Sequence, residues 1–333
     1  MRKILVVLLL LVIVGAVGGY AALRYATSVP GQSHQGPLPA LTAEERAIAA
    51  TLKRHVETVA AREHNIAHYD ELEKVAVYLE ATLKAHGYTV GRQEYAVSGK
   101  TVRNIDVVVE PLAGVTDPEV VVVGAHYDSA EDTPGANDNG SGTAVVLEMA
   151  RLLKDLHGQS RKRIRFVFFV NEEPPYFMTN DMGSLRYAKL LSERKERVTA
   201  MFSLETLGFY SDEPGSQKYP VPFGLMFPNT ANFVSFVGLT NSRPLLQQTM
   251  ASFRAHTQFP TVGGVAPVIV PGVGWSDHWS FGQYGFQGVM VTDTALFRYP
   301  HYHEPTDTPE KVNVERLARI TKGMERVVRD LVR

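Results

Sequence analysis

The apolar and polar positions of this chain fall into three successive patterns. The first is an uncharged run from Ile4 to Leu23 with no amphipathic rhythm, flanked by Arg2 and Lys3 before it and Arg24 after it. Twenty such residues match the ~20 that a helix needs to cross a bilayer. The run therefore predicts an uncleaved membrane anchor. The alternative is a cleaved signal peptide, with Ile4–Val14 as its apolar region and Gly19-Tyr20-Ala21 as a small-x-small cleavage site. The positive residue bias puts the chain beyond residue 25 on the far side of the membrane, periplasmic or extracellular, or secreted if residues 1–21 are removed. The second pattern, residues 25–41, is rich in Ser, Pro, Gly and Gln and predicts a flexible linker. The third begins at Thr42 and predicts a folded domain over 42–333.

Within that domain the rhythm alternates between helical and extended. Thr42 and Glu45 make a capping-box pattern, and Ala47, Ile48, Leu52, Val56 and Val59 then recur at helical spacing. A second helix is predicted over 69–86, closed by Gly87. Strands are predicted at 88–95 and 102–109, and again at 119–125, where Val120 to Val123 form a solid apolar run suited to burial on both faces. A helix over 141–156, strands at 164–170, 198–204 and 288–291, and a last helix over 309–332 complete the pattern. Pro309 suits the first turn of that helix. Buried strands alternating with helices predict an α/β fold on a mostly parallel sheet. Residues 208–224, broken by Pro214, Gly215, Pro220 and Pro222 and with little periodicity, predict a surface loop that either rims a pocket or is inert.

Composition narrows the chemistry. Lys plus Arg (34) and Asp plus Glu (35) nearly balance, so the basic excess of a nucleic-acid binder is missing. Cysteine is absent, which excludes disulfides and thiolate metal sites. Any metal must then be held by His, Asp and Glu.

Four clusters offer that chemistry, each after a predicted strand or in a loop, where α/β sheets place their ligand sites. His126 and Asp128 leave the valine strand in alternation, so a metal ligand and a partner carboxylate can lie side by side. Asp138 sits in the turn Gly135-Ala136-Asn137-Asp138-Asn139-Gly140-Ser141-Gly142, and its two carboxylate oxygens can bridge two metals. Glu172 and Glu173 end the strand 164–170. Adjacent acids there are costly unless used, and one can ligate metal while the other serves as general base. His303 lies in Tyr302-His303-Glu304-Pro305-Thr306-Asp307-Thr308 before the last helix, and Glu205 follows the strand 198–204. Taken singly, each cluster is also compatible with a solvated turn.

Taken together, their order resembles the co-catalytic zinc exopeptidase family, which includes bacterial secreted leucyl aminopeptidases and is related to glutaminyl cyclases. The resemblance runs from about residue 62 to the end, and Asn65, Tyr69 and Ser276-Asp277-His278 also match its pattern. It implies a single three-layer domain with a mixed, mostly parallel central sheet, and two zinc ions per chain. It further implies His126 and Glu205 on one zinc, Glu173 and His303 on the other, Asp138 bridging, Glu172 as general base and Asp128 orienting His126. The implied substrates are peptides with a free amino terminus. Two features depart from the family: Glu205 stands where Asp is common, and Pro174–Met178 lengthens the link after the paired glutamates, which predicts an altered pocket wall. Of the remaining histidines, His34, His55, His86 and His157 are expected in solvent, His301 lacks the spacing to Asp307, and His278 either supports the site through Asp277 or is structural. The rival readings are a one-zinc glutaminyl cyclase-like acyltransferase and a catalytically dead, membrane-anchored binding protein. The sequence leaves the oligomeric state open.

Overall fold

A computed structural model describes residues 2–333. In chain order its helices and strands are α1 (Arg2–Thr27), α2 (Ala43–Val59), α3 (Tyr69–Ala85), β1 (Gly91–Val97), β2 (Lys100–Val109), β3 (Glu119–His126), α4 (Gly142–Leu152), β4 (Arg163–Phe169), α5 (Gly183–Glu193), β5 (Arg197–Glu205), β6 (Val234–Leu239), α6 (Arg243–His256), β7 (Thr261–Ala266), α7 (His278–Gly282), β8 (Gly288–Thr292), α8 (Ala295–Arg298) and α9 (Val314–Val332).

The strands form one sheet in the order β1-β2-β4-β3-β5-β8-β6-β7. β3 pairs in parallel with β4 and β5, and β5 with β8, while β1–β2, β2–β4 and β6–β8 are antiparallel. The valine run explains the layering. Val121, Val123 and Ala125 join the larger core under α2, α4 and α9, and Val120 and Val122 join a second core with Phe169, Tyr187 and Phe281 under α5 and α7. Successive side chains of a strand point to opposite faces, so a strand covered on both sides must be apolar throughout. This is the single-domain, three-layer α/β fold that the sequence implies.

The local signals hold where expected. Thr42 Oγ1 accepts from the Glu45 amide at 3.1 Å and Glu45 reciprocates at 2.7 Å, completing the capping box. Gly87 follows α3 at φ 77°. The first hairpin is shifted by two or three residues: β1 ends at Val97 and a two-residue turn, Ser98-Gly99, leads into β2. Pro309 opens a short 3-10 turn, Pro309–Lys311, and the long helix starts afresh at Val314 with Asn313 as its side-chain cap. His55 is buried and its Nδ1 lies 2.7 Å from the Tyr78 hydroxyl, so the expectation of a solvent position fails there. Residues 28–42 carry no regular structure and lie against the domain: Arg254 donates to the carbonyls of Pro30 and Gly31, both at 2.9 Å.

Candidate metal centre

The parallel strands β3, β4 and β5 end side by side, and each releases an ionisable residue at that end. His126 closes β3, Glu172 and Glu173 follow β4, and Glu205 closes β5. Asp138 and His303 come from loops that fold over this edge.

The turn carrying Asp138 is held by its neighbours. Asn137 donates to Asp293 Oδ2 at 2.9 Å and accepts from the Gly208 amide at 2.7 Å. Asn139 donates to the Leu204 carbonyl at 2.9 Å and accepts from the Thr206 and Gly142 amides at 3.1 Å each. The turn sits so close to β5 that a Cβ on Gly142 would fall 2.1 Å from the Leu204 carbonyl oxygen. The two asparagines are consumed by the scaffold, and the aspartate between them is left for the site. Asp307 supports the same turn from the other side. Its Oδ1 accepts from the Asn137 amide at 2.9 Å and its Oδ2 from the Asp138 amide at 3.0 Å, while the Tyr299 hydroxyl donates to Oδ1 at 2.6 Å.

The structure brings the seven sequence-derived residues together. His126 Nε2 lies 3.4 Å from Asp138 Oδ1 and 3.4 Å from Glu205 Oε2. His303 Nε2 lies 3.0 Å from Asp138 Oδ2 and 3.3 Å from Glu173 Oε2. Each oxygen of Asp138 thus faces a different histidine. Glu172 Oε2 stands 3.9 Å from His126 Nε2. Asp128 lies beside His126, as expected, and also reaches the glutamate pair. The His126 Nδ1 is 3.0 Å from the Asp128 backbone carbonyl and 3.7 Å from its carboxylate, and the carboxylate accepts from the amides of Glu172 (3.1 Å) and Glu173 (3.2 Å). A short strand-end loop lets the main chain reach the ring first, which frees the side chain to fix the glutamate pair.

Charge is crowded here. Burial, with Glu205 and Glu173 nearby, pushes the Glu172 carboxyl well above the usual carboxylate range, against the pull of His126. Burial leads in raising Glu173 and Glu205, each to about 7. Burial also opposes charge on the two rings, yet Glu205 and Glu172 hold His126 well above its ordinary value, and Asp138 and Glu173 push His303 up to about 11. His126 Nε2, His303 Nε2 and Glu173 Oε1 are buried with no hydrogen-bond partner. Buried polar atoms are normally paired, and these three belong to residues of one carboxylate-rich cluster. Imidazole nitrogens and carboxylate oxygens without sulfur are the donors zinc takes in such sites, and the groups His126–Asp138–Glu205 and Asp138–Glu173–His303 each bring three ligand atoms within 4.8 Å of one another. The residues fit the cation.

Sequence reasoning missed several supports. Ser276 donates to Glu205 Oε2 at 2.8 Å and contacts Ser203 Oγ at 2.6 Å, steadying the longer acid. The Asp307 clamp was visible only as a spacing. His278 Nε2 donates to the Val273 carbonyl, 2.8 Å away, and has no bond to the site. His301 pairs with Thr306. Tyr302 stacks on the His303 ring at 4.0 Å.

Beside Glu205 an apolar cleft opens, lined among others by Phe223, Phe227, Val265, Met290, Phe297 and Tyr302. Tyr219, Pro220 and Phe223 of the irregular segment, with Phe227 just beyond it, thus form one of its walls. Pro174–Met178 does not line it: Tyr176 turns away to Ser98, 3.0 Å between hydroxyls.

Comparison with known proteins is consistent with this arrangement. Residues 106–328 match the model of peptidase family M28. The chain is 33% identical over 265 residues to the uncharacterised protein YfbL of Escherichia coli, covering 77% of this chain and 79% of that one. It is 34% identical over 248 residues to the aminopeptidase YwaD of Bacillus subtilis, covering 72% of this chain and 44% of that protein, so it spans less than half of that relative's length. The fold matches the structure of BSAP, a zinc aminopeptidase from Bacillus subtilis, with a TM-score of 0.65 at 18% identity over 89% of this chain and 97% of that one.

Proposed function

Because the chain belongs to peptidase family M28, we propose that it is a zinc aminopeptidase, removing amino-terminal residues from peptides at a centre holding two zinc ions. His126 and Glu205 would hold one, Glu173 and His303 the other, with Asp138 shared between them. When bound, such a pair supplies Lewis-acid activation of water and of the scissile carbonyl. The chain's own groups do the rest. Glu172 Oε2 takes the proton of the attacking water and returns it to the leaving amine, a role suited to a carboxyl whose pKa burial raises. Asp128 holds the Glu172 and Glu173 amides so that the two side chains diverge. The carboxylate-rich floor attracts a free ammonium group, and the apolar cleft beside Glu205 receives the first side chain. We assign α1 as the membrane anchor: it is long and apolar enough to cross a bilayer, and its side chains are almost all exposed.

The observation that carries the reading is the division of the Asp138 carboxylate, one oxygen toward each histidine. The test compares the native chain with Glu172→Gln for zinc content and for turnover of a leucyl anilide and an amino-terminal glutaminyl peptide. The native protein should bind two zinc ions and hydrolyse the anilide. The variant should keep both ions and lose about 10²–10⁴-fold in kcat. A single zinc with cyclisation of the glutaminyl peptide would replace this reading by the acyltransferase, and an inert, metal-free native chain would replace it by a binding protein.

A further inference from the structure

The walls of the cleft are apolar on both sides. Pro220, Phe223, Phe227 and Val270 face inward and line it, while their neighbours Val221, Leu225 and Ile269 face outward at 93%, 82% and 86% exposure. Outside α1, ten large apolar side chains are exposed among the described residues, and six of them, Val221, Leu225, Val268, Ile269, Trp275 and Leu296, stand around this one mouth. Single exposed apolar residues need no explanation, but a cluster of this kind marks a contact surface.

The position of α1 says what covers it. Gly264 of β7 lines the cleft, and a Cβ built on it would lie 3.2 Å from the Ala26 carbonyl oxygen at the end of α1. Arg243 fastens that junction: its guanidinium lies 3.9 Å from the centre of the Tyr25 ring and donates to the Tyr25 carbonyl at 3.2 Å. Two residues past Gly264 the strand ends, and the chain enters the outward-facing segment with Val268 and Ile269. Five residues of chain reach at most roughly 17 Å, so Ile269 stands within that distance of where the apolar helix joins the domain. Trp275 on the same rim is the residue type that favours the lipid headgroup layer.

We propose that the mouth of the cleft is a bilayer-docking surface. Val221, Leu225, Val268, Ile269, Trp275 and Leu296 enter the interfacial layer of the membrane that holds α1, and the cleft takes apolar peptide termini from that layer. The proposal rests on the anchored aminopeptidase reading above.

Trp275 and Trp279 are the two tryptophans of the chain, so fluorescence reports on the rim directly. The full chain carrying Trp279→Phe is placed in nanodiscs of phosphatidylcholine or of its dibrominated form. Bromine on the acyl chains should quench Trp275, and adding Val221→Ser, Leu225→Ser and Ile269→Ser should restore emission to the unbrominated level. The triple change should leave leucyl anilide turnover unchanged and lower kcat/KM on an apolar peptide partitioned into the disc. Equal emission in both lipids overturns the proposal even if the triple variant fails to fold, and discs paired through the protein would assign the surface to a second copy instead. Anilide turnover with unquenched Trp275 sinks the docking surface alone. Quenching without turnover of either substrate sinks the enzymatic reading and leaves the surface.

Discussion

Histidine shows how far one side chain is made by its surroundings. His126 and His303 are pushed up because carboxylates converge on them, whereas His55 is driven down to about 4 by burial, helped by His86, Arg54 and Arg151. His55 was legible as buried: it falls three residues after Leu52 and four before Val59, on the apolar stripe of α2. Counting histidines by residue type rather than by helical position placed it in solvent. Its depressed value has a measurable consequence. Above pH 6.5 the ring is neutral in both folded and unfolded chains and costs nothing. As pH falls from 6.5 toward 4, the unfolded chain binds a proton that the folded one refuses, and stability drops by about 2 kcal/mol at pH 5. His55→Leu should remove that slope. The Tyr78 hydroxyl loses its partner at every pH, which lowers the curve without tilting it. Thermal unfolding of both proteins at pH 7 and pH 5 tests this: the native chain should lose roughly 4–8 °C more than the variant between the two.

Among the elements, those with a strong period were readable and those defined by partners were not. The valine strand and the capped helix α2 announce themselves, because burial on both faces or on one stripe leaves a periodic trace. β6, α6 and β7 were not anticipated. Their strands are six residues long and carry Gly238, Gly263 and Gly264, and glycine inside a strand weakens the signal. The site residues were legible because each ends a strand or sits in a marked turn. The clamp was not, since the use of Asp307 depends on the amides of a turn about 170 positions earlier in the chain. Its effect is calculable. Asp307→Asn puts an amide donor against one of two buried backbone N–H groups and leaves that group unpaired. The loss should be about 1–3 kcal/mol. Because the freed turn carries Asp138, zinc affinity should fall about 10–100-fold, as for other residues that orient a metal ligand. Chelator competition against the native chain measures this, and unchanged affinity would remove Asp307 from the support of the site.

At the scale of the whole molecule, the centre ties together parts of the chain that share little else. His126, Asp138, Glu173, Glu205 and His303 come from two sheet strands, the end of a third and two loops, and meet at one edge of the sheet. Five acids, counting Asp128 and Glu172, crowd two imidazoles there, and like charges held in a buried site oppose the fold. A ligand that binds the folded chain and not the unfolded one stabilises it by mass action, about 2.7 kcal/mol at a hundredfold excess over its Kd. For a domain of this size that amounts to roughly 5–11 °C in Tm. Removing zinc with a chelator should therefore lower Tm by that amount, and restoring zinc should recover it. The loss has a place as well as a size. β3 and its neighbours are packed by apolar side chains on both faces and do not depend on the centre, whereas the Asp138 turn and the His303 loop are joined through Asp307 and through the shared carboxylate. Hydrogen exchange in the metal-free protein should rise in residues 135–141 and 301–308 and stay low in the strands. A uniform rise across the sheet would mean that the cations hold up the whole domain rather than closing one edge of it.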